Sequence, residues 1–318
     1  MTVPGRWTPR RALIAVTAGL AALAVGAGSM ALIKATSHPD RSISTLPTSP
    51  GPRGSGPSVS PGPSPPPDAA TLPPATVPGT GGQPVGWWRP RGVLTWQWQL
   101  QGKPDLNLPV QVYDIDAVES SAGDVAALHT AGRRAICYLN AGAYEDFRPD
   151  RARYPAAVRG RPLDGWPHER WLDIRRWDVL EPILRDRIAT CRRKGFDGVE
   201  PDNVDGFANG SGFGLTAEDQ LTFNRRVADL AHSYGLAVGL KNDVEQAASL
   251  APWFDYAVNE ECVEHDECDL LRVFTAVAKP VFHVEYALAV DRFCAATRRL
   301  GFSSMRKKVD LDAWRQPC

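Results

Sequence analysis

Several short apolar runs in this chain end in side chains that bind or move protons. They read Trp96-Gln97-Trp98-Gln99, Tyr113-Asp114-Ile115-Asp116, Tyr138-Leu139-Asn140, Glu200-Pro201-Asp202-Asn203-Val204-Asp205, Lys241-Asn242-Asp243, Asn259-Glu260-Glu261 and Glu285-Tyr286. Aromatic rings next to acids suit sugar recognition, because ring faces pack on pyranose C–H surfaces while acids bind hydroxyls or amines. Hydrolysis of a glycosidic bond needs two carboxylates, one to protonate the leaving oxygen and one to attack or to activate water. Period-2 alternation places Glu200 on the same side as Asp202, and turns Glu260 and Glu261 to opposite sides. Asp116, Asp205 and Asp243 also read as caps for following helices. Lys241 reads either as a group that keeps a carboxylate charged or as a plain salt bridge. The six histidines show no metal-ligand spacing.

Strands are expected at Val93–Trp98, Val110–Ile115, Arg134–Asn140, Gly198–Asp202, Ala237–Lys241, Tyr256–Asn259, Pro280–Val284 and Lys308–Leu311, with helical patterns between. The clearest helix is Ala217–Ser233, opened by Thr216 with Asp219 as a variant capping box and closed by Gly235. A second helix, Trp177–Lys194, ends at Gly195, with Pro182 marking a break or a late start. Eight such units predict an α/β protein with a (β/α)8 TIM barrel; a doubly wound open sheet is the alternative. The long interval from Asn140 to Gly198 holds Tyr144, Glu145, Trp166, Trp171 and Asp173, and reads as a helix plus a long loop over the C-terminal face.

Three regions follow from composition. Residues 1–36 read as a signal peptide or signal anchor: Arg6, Arg10 and Arg11 precede the uncharged run Ala12–Ile33. Residues 37–85 hold 14 of the 28 prolines and read as a Pro/Ser/Gly-rich linker. Residues 86–318 hold nine of the ten tryptophans and all six cysteines, enough chain for one large core. That region carries a formal charge of −4, which argues against a nucleic-acid partner and suits a cationic substrate. Six cysteines in an exported chain predict disulfides, and fifteen pairings are open. Cys262 with Cys268 closes a short loop, Cys294 with Cys318 ties down the C-terminus, and Cys137 with Cys191 remain. A metal site of Cys262, His265 and Cys268 is the rival reading.

The set Trp96-Gln97-Trp98-Gln99-Leu100, Val112-Tyr113-Asp114-Ile115-Asp116, Cys137-Tyr138, Trp171-Leu172-Asp173-Ile174, Gly195-Phe196-Asp197-Gly198-Val199-Glu200-Pro201-Asp202-Asn203-Val204-Asp205 and Asn259-Glu260-Glu261-Cys262 resembles glycoside hydrolase family 114. The resemblance runs in order from about Gly92 to Val309, and the Gly195–Asp205 block is its most specific piece. It implies a TIM-barrel endo-α-1,4-polygalactosaminidase acting on partly N-acetylated α-1,4-galactosamine, with Asp202 and Glu260 as the catalytic pair. Substrate contacts are expected from Trp96, Gln97, Gln99, Asp114, Asp116, Tyr138, Glu145, Asp173, Glu200, Asn203, Asp205, Lys241, Asn242, Glu261, Glu285 and Tyr286. No cofactor or metal is expected. A secreted or membrane-anchored extracellular monomer is implied, with a cationic polysaccharide as partner. A non-catalytic carbohydrate-binding barrel and a metal-dependent hydrolase using Glu200, Asp202 and Asp205 are the alternatives.

Overall fold

The computed structural model of the protein describes residues 86–318. The segments 1–36 and 37–85, read above as signal or anchor and as linker, lie outside the described residues. In chain order the elements are β1 (Trp96–Gln99), β2 (Val112–Asp116), α1 (Ala122–Thr130), β3 (Arg134–Asn140), β4 (Ala143–Glu145), β5 (Arg159–Leu163), β6 (Trp166–Leu172), α2 (Trp177–Lys194), β7 (Gly198–Asp202), α3 (Ala217–Ser233), β8 (Ala237–Lys241), α4 (Ala247–Leu250), β9 (Tyr256–Glu260), α5 (Arg272–Thr275), β10 (Val281–Glu285), α6 (Val290–Arg299), β11 (Ser303–Arg306) and β12 (Gln316–Pro317).

Nine strands form one sheet in the order β1-β2-β3-β7-β8-β9-β10-β11-β12. All neighbours are parallel except the terminal β12, which pairs antiparallel with β11. The sheet curls so that β1 and the segment before it approach β11: Trp96 Nε1 donates to Ser303 O at 2.8 Å, and Leu94 N to Ser303 Oγ at 2.9 Å. Strand alternation separates two apolar clusters. Trp96, Trp98, Val112, Ile136, Ala237, Tyr256, Val258, Phe282, Val284 and Met305 fill the concave side. Tyr113, Ile115, Cys137, Val199, Val238 and Ala257 point outward and pack with Leu180, Ile183, Ile188, Phe223 and Val227 from the helices.

The structure corrects four expectations. The last parallel strand is Ser303–Arg306, whereas Lys308–Leu311 is turn and loop. The true strand is a polar run, hidden because it closes the sheet through backbone bonds and a buried Met305 rather than through an apolar stretch. The helical complement is incomplete, since residues 100–111 join β1 to β2 without a helix. The interval after Asn140 holds a second, antiparallel sheet, β4-β6-β5, before α2. Finally, α2 runs unbroken through Pro182, which sits close enough to the helix start to forgo only an early i→i−4 bond.

Local chemistry accounts for the helix ends. Thr216 and Asp219 form a reciprocal capping box on α3, and Ser121 and Asp124 form another on α1. Gly195 closes α2 at φ 93°, a conformation that costs glycine little. Three disulfides, Cys137–Cys191, Cys262–Cys268 and Cys294–Cys318, join β3 to α2, close the loop after β9 and fix the C-terminus to α6.

Candidate active site

The ends of β7, β8 and β9 place Asp202, Lys241 and Glu260 together. Each of these strands turns sharply at its next residue: Asn203, Asn242 and Glu261 take left-handed backbone at φ 61°, 49° and 62°. Such conformations in non-glycine residues cost of order 1–3 kcal/mol each and concentrate at functional sites. The turn after β7 is further pinned from β3 and β6. Asn140 Nδ2 donates to Asn203 Oδ1 at 2.7 Å and to Glu169 Oε2 at 3.1 Å. Residue 142 must be glycine, because a Cβ there would lie 1.8 Å from Asn203 O.

Lys241 is 1% exposed and its ammonium is the hub. Nζ lies 2.8 Å from Asp202 Oδ1, 3.1 Å from Glu260 Oε2 and 3.4 Å from Glu200 Oε1, and 4.9 Å from the centre of the Trp98 ring. Asp202 also accepts from Tyr138 Oη at 2.6 Å and from the Asn203 amide at 2.8 Å. Glu260 accepts from Asn242 Nδ2 at 3.0 Å and from the Tyr286 hydroxyl. The Asp202 and Glu260 oxygens that share Nζ are therefore at most about 6 Å apart, so one ammonium holds the two carboxyl groups side by side.

A cleft of about 470 Å³ opens over this group, lined by Leu163, Asp164, Trp166, Trp171, Asp202, Asn203, Asp205, Lys241, Asn242 and Glu260. Asp205 is pushed up to about 6, first by burial and then by the nearby Asp202 charge. Trp166 also borders a larger groove of about 1500 Å³, where Phe147 stands 56% exposed among Glu119, His168, Glu169 and Asp310. The arrangement sets two carboxylates side by side at the cleft floor, with ring faces beside them and more negative than positive charge.

Of the residues singled out in the sequence, Asp202, Asn203, Asp205, Lys241, Asn242 and Glu260 line the cleft, and Tyr138 and Tyr286 hold its carboxylates. The others have different duties. Trp96 lies in the concave core and Gln97 Nε2 donates to Ala313 O. Gln99 orders the loop at Gln101, Lys103 and Asp105. Asp116 caps the turn at Val118 and Glu119 and binds Arg148, which also holds Glu145. Asp173 pairs with Arg175, and Glu285 accepts from Val263 N and contacts His283. Glu261 turns away from the cleft into a buried position, where burial and the Glu260 charge push it up to about 8. Asp114 and Glu200 are 0% exposed and face each other beneath Lys241, where substrate does not reach. Full burial also removes Glu200 from any open metal site with Asp202 and Asp205. Cys262 and Cys268 form, with His283, a cluster of metal-ligand type, but the disulfide consumes both thiolates.

Leu163, Asp164, Trp166 and Trp171 were missed as site residues. They come from β5, β6 and the two-residue turn between them, where Leu163 pairs with Trp166 across Asp164-Gly165. An Asp-Gly pair between two strand-like runs is a strong hairpin signal, and Gly165 supplies the φ of 79°.

The model of the glycoside-hydrolase family GH114 matches residues 80–318. Among solved structures, Aspergillus fumigatus Ega3 in complex with galactosamine is 35% identical, with a TM-score of 0.70 over 75% of this chain and 100% of that one. The glycoside hydrolase domain of PelA from Pseudomonas aeruginosa shares the fold at 17% identity, with a TM-score of 0.55 over 70% of this chain and 97% of that one. No curated protein sequence matches the chain.

Proposed function

The chain belongs to glycoside-hydrolase family GH114 and is a glycoside hydrolase; from that premise we propose that it cleaves α-1,4-linked galactosamine-containing polysaccharide, as an endo-α-1,4-polygalactosaminidase would. The observation that carries the reading is the pairing of Asp202 and Glu260 through one buried lysine, at the floor of a cleft edged by Trp166 and Trp171. The galactosamine held by the 35% identical relative supports the sugar class. The acid excess in the cleft supports a polymer carrying ammonium groups.

In this mechanism Asp202 is the nucleophile and Glu260 the acid and base. Glu260 gives its proton to the leaving glycosidic oxygen while an Asp202 oxygen attacks the anomeric carbon, forming a glycosyl-enzyme ester. For that step Glu260 carries the proton, and the Tyr286 hydroxyl, able to donate or accept, turns to accept. Glu260 then takes a proton from water, which attacks the same carbon and releases Asp202. The separation set by Lys241 supports this double displacement, whose outcome is retention. The curled, mostly parallel sheet with its incomplete ring of helices is TIM-like, and its chemistry is placed at the strand C-termini. Three disulfides fit an exported enzyme, with residues 1–36 as signal or anchor.

The test is incubation of the protein with α-1,4-galactosaminan, its fully N-acetylated form and a neutral galactan, following new reducing ends. Release from galactosaminan in preference to the neutral galactan is expected; release from the galactan alone overturns the substrate class.

A further inference from the structure

Beneath the cleft, Asp114 on β2 and Glu200 on β7 are fully buried next to each other, with β3 between their strands. Among the described residues outside the pair, none donates a hydrogen bond to any of their four side-chain oxygens, and the cation beside them is Lys241 Nζ, 3.4 Å from Glu200 Oε1. Two carboxylates in a dry site with no donors cannot both stay charged, so one proton must lie between them. Glu200 is the member beside the ammonium, which makes it the ionised partner and Asp114 the acid that donates to it. The remaining charged or titratable groups that face the pair are Asp202, Glu260 and Tyr256. The Tyr256 hydroxyl is spent on Val199 O at 2.7 Å.

We infer that Asp114 and Glu200 are positioning residues for the reaction: together they place one net negative charge under Lys241, and that charge holds the ammonium where it bridges Asp202 and Glu260. Without it, one lysine would face two carboxylates from above with the Trp98 ring but no opposite charge beneath, and Nζ would move up to the cleft surface. Burial, which pushes Asp114 well above the usual carboxylate range with Glu200 as its next cause, agrees with a protonated Asp114. The inference rests on Asp202 and Glu260 being the reacting pair, and it gives Asp114 and Glu200 a role other than the substrate contact their strand-end positions suggest.

The pair makes an asymmetric prediction from two adjacent carboxyl groups. Glu200→Gln removes the charge under Lys241 and should lower kcat by about 10–100-fold with KM within roughly twofold, the size of loss seen when outer partners of a reacting centre are removed. Asp114→Leu, which strips Glu200 of the carboxyl donor beside it, should lower kcat similarly. Asp114→Asn restores a donor of the same shape and should recover most of that loss. Melting curves monitor folding; should Glu200→Gln not fold, Glu200→Asp, which withdraws the charge from Lys241, carries the same expected loss. The inference is overturned if Glu200→Gln keeps wild-type kcat, or if Asp114→Asn is as damaged as Asp114→Leu. Activity surviving in Asp202→Asn would overturn the underlying reading instead, so the two failures are distinguishable.

Discussion

On the side of β2, β3 and β4, Asp116, Glu145 and Asp150 meet Arg148 and Arg187 through contacts of 2.7–3.0 Å, with a further Arg187–Glu145 approach at 3.5 Å. At the ends of β7, β8 and β9, by contrast, Asp202, Glu260 and Glu200 share the single ammonium of Lys241, and Asp164 and Asp205 add to the acids at the cleft. Both regions are acidic and both sit by strand ends. The first has planar guanidinium forks matched to its carboxylates, which is how a chain stabilises buried charge. The second leaves charge under-compensated and open to a ligand. The contrast separates acids that build the fold from acids available for chemistry, a distinction that residue type alone does not make.

The comparison breaks most visibly at the proposed reacting pair. Asp202→Asn and Glu260→Gln should each cut turnover by about 10²–10⁴-fold, the usual contribution of a positioned proton donor or acceptor, while polymer binding and melting temperature stay close to wild type. Steady-state assay with a binding measurement checks both; more than a tenth of the wild-type rate in either variant removes that residue from the chemistry.

On the arginine-matched side the effect should fall on stability instead. Arg148→Met strands Asp116 and Glu145, both buried, and should cost about 3–5 kcal/mol, as breaking a buried ion pair does. Urea unfolding measures that cost, and kcat of the folded variant should change far less than in Asp202→Asn. A large loss of kcat with unchanged stability would erase the distinction between the two regions.

Glu261, next to Glu260 in the chain, gives the smallest effect. Its carboxyl is held up at about 8 in the folded chain against 4.5 for an ordinary glutamate. Unfolding therefore releases its proton between those values, and stability from this group is lost as pH rises through that window. Glu261→Gln, permanently neutral, should raise the melting temperature at pH 9, leave it unchanged at pH 4, and alter kcat only mildly. A stability gain that is equal at both pH values would contradict the buried position assigned to this side chain.

Much of the site was legible because a strand reports its facing in steps of two. The Glu200–Asp202 spacing, the Glu260–Glu261 alternation and the strands at 134–140, 198–202 and 237–241 all emerge from that period. Depth was not legible. Asp114 and Glu200 are carboxylates near strand ends like Asp202, yet they lie one step down, and the curl of the sheet tells floor from interior. The β5–β6 hairpin was missed because Asp164-Gly165 was passed over within a long interval read as loop. The strand at Ser303–Arg306 was missed because its pairing, not its hydropathy, makes it a strand.

The central claim, that Asp202 attacks the sugar while Glu260 moves the proton, is tested most directly by following the anomeric proton of the first-formed product from an α-1,4-linked galactosamine polymer by NMR. The short carboxylate spacing predicts initial release of the α-anomer, followed by slow mutarotation. Initial appearance of the β-anomer would contradict the assignment of Asp202 as nucleophile.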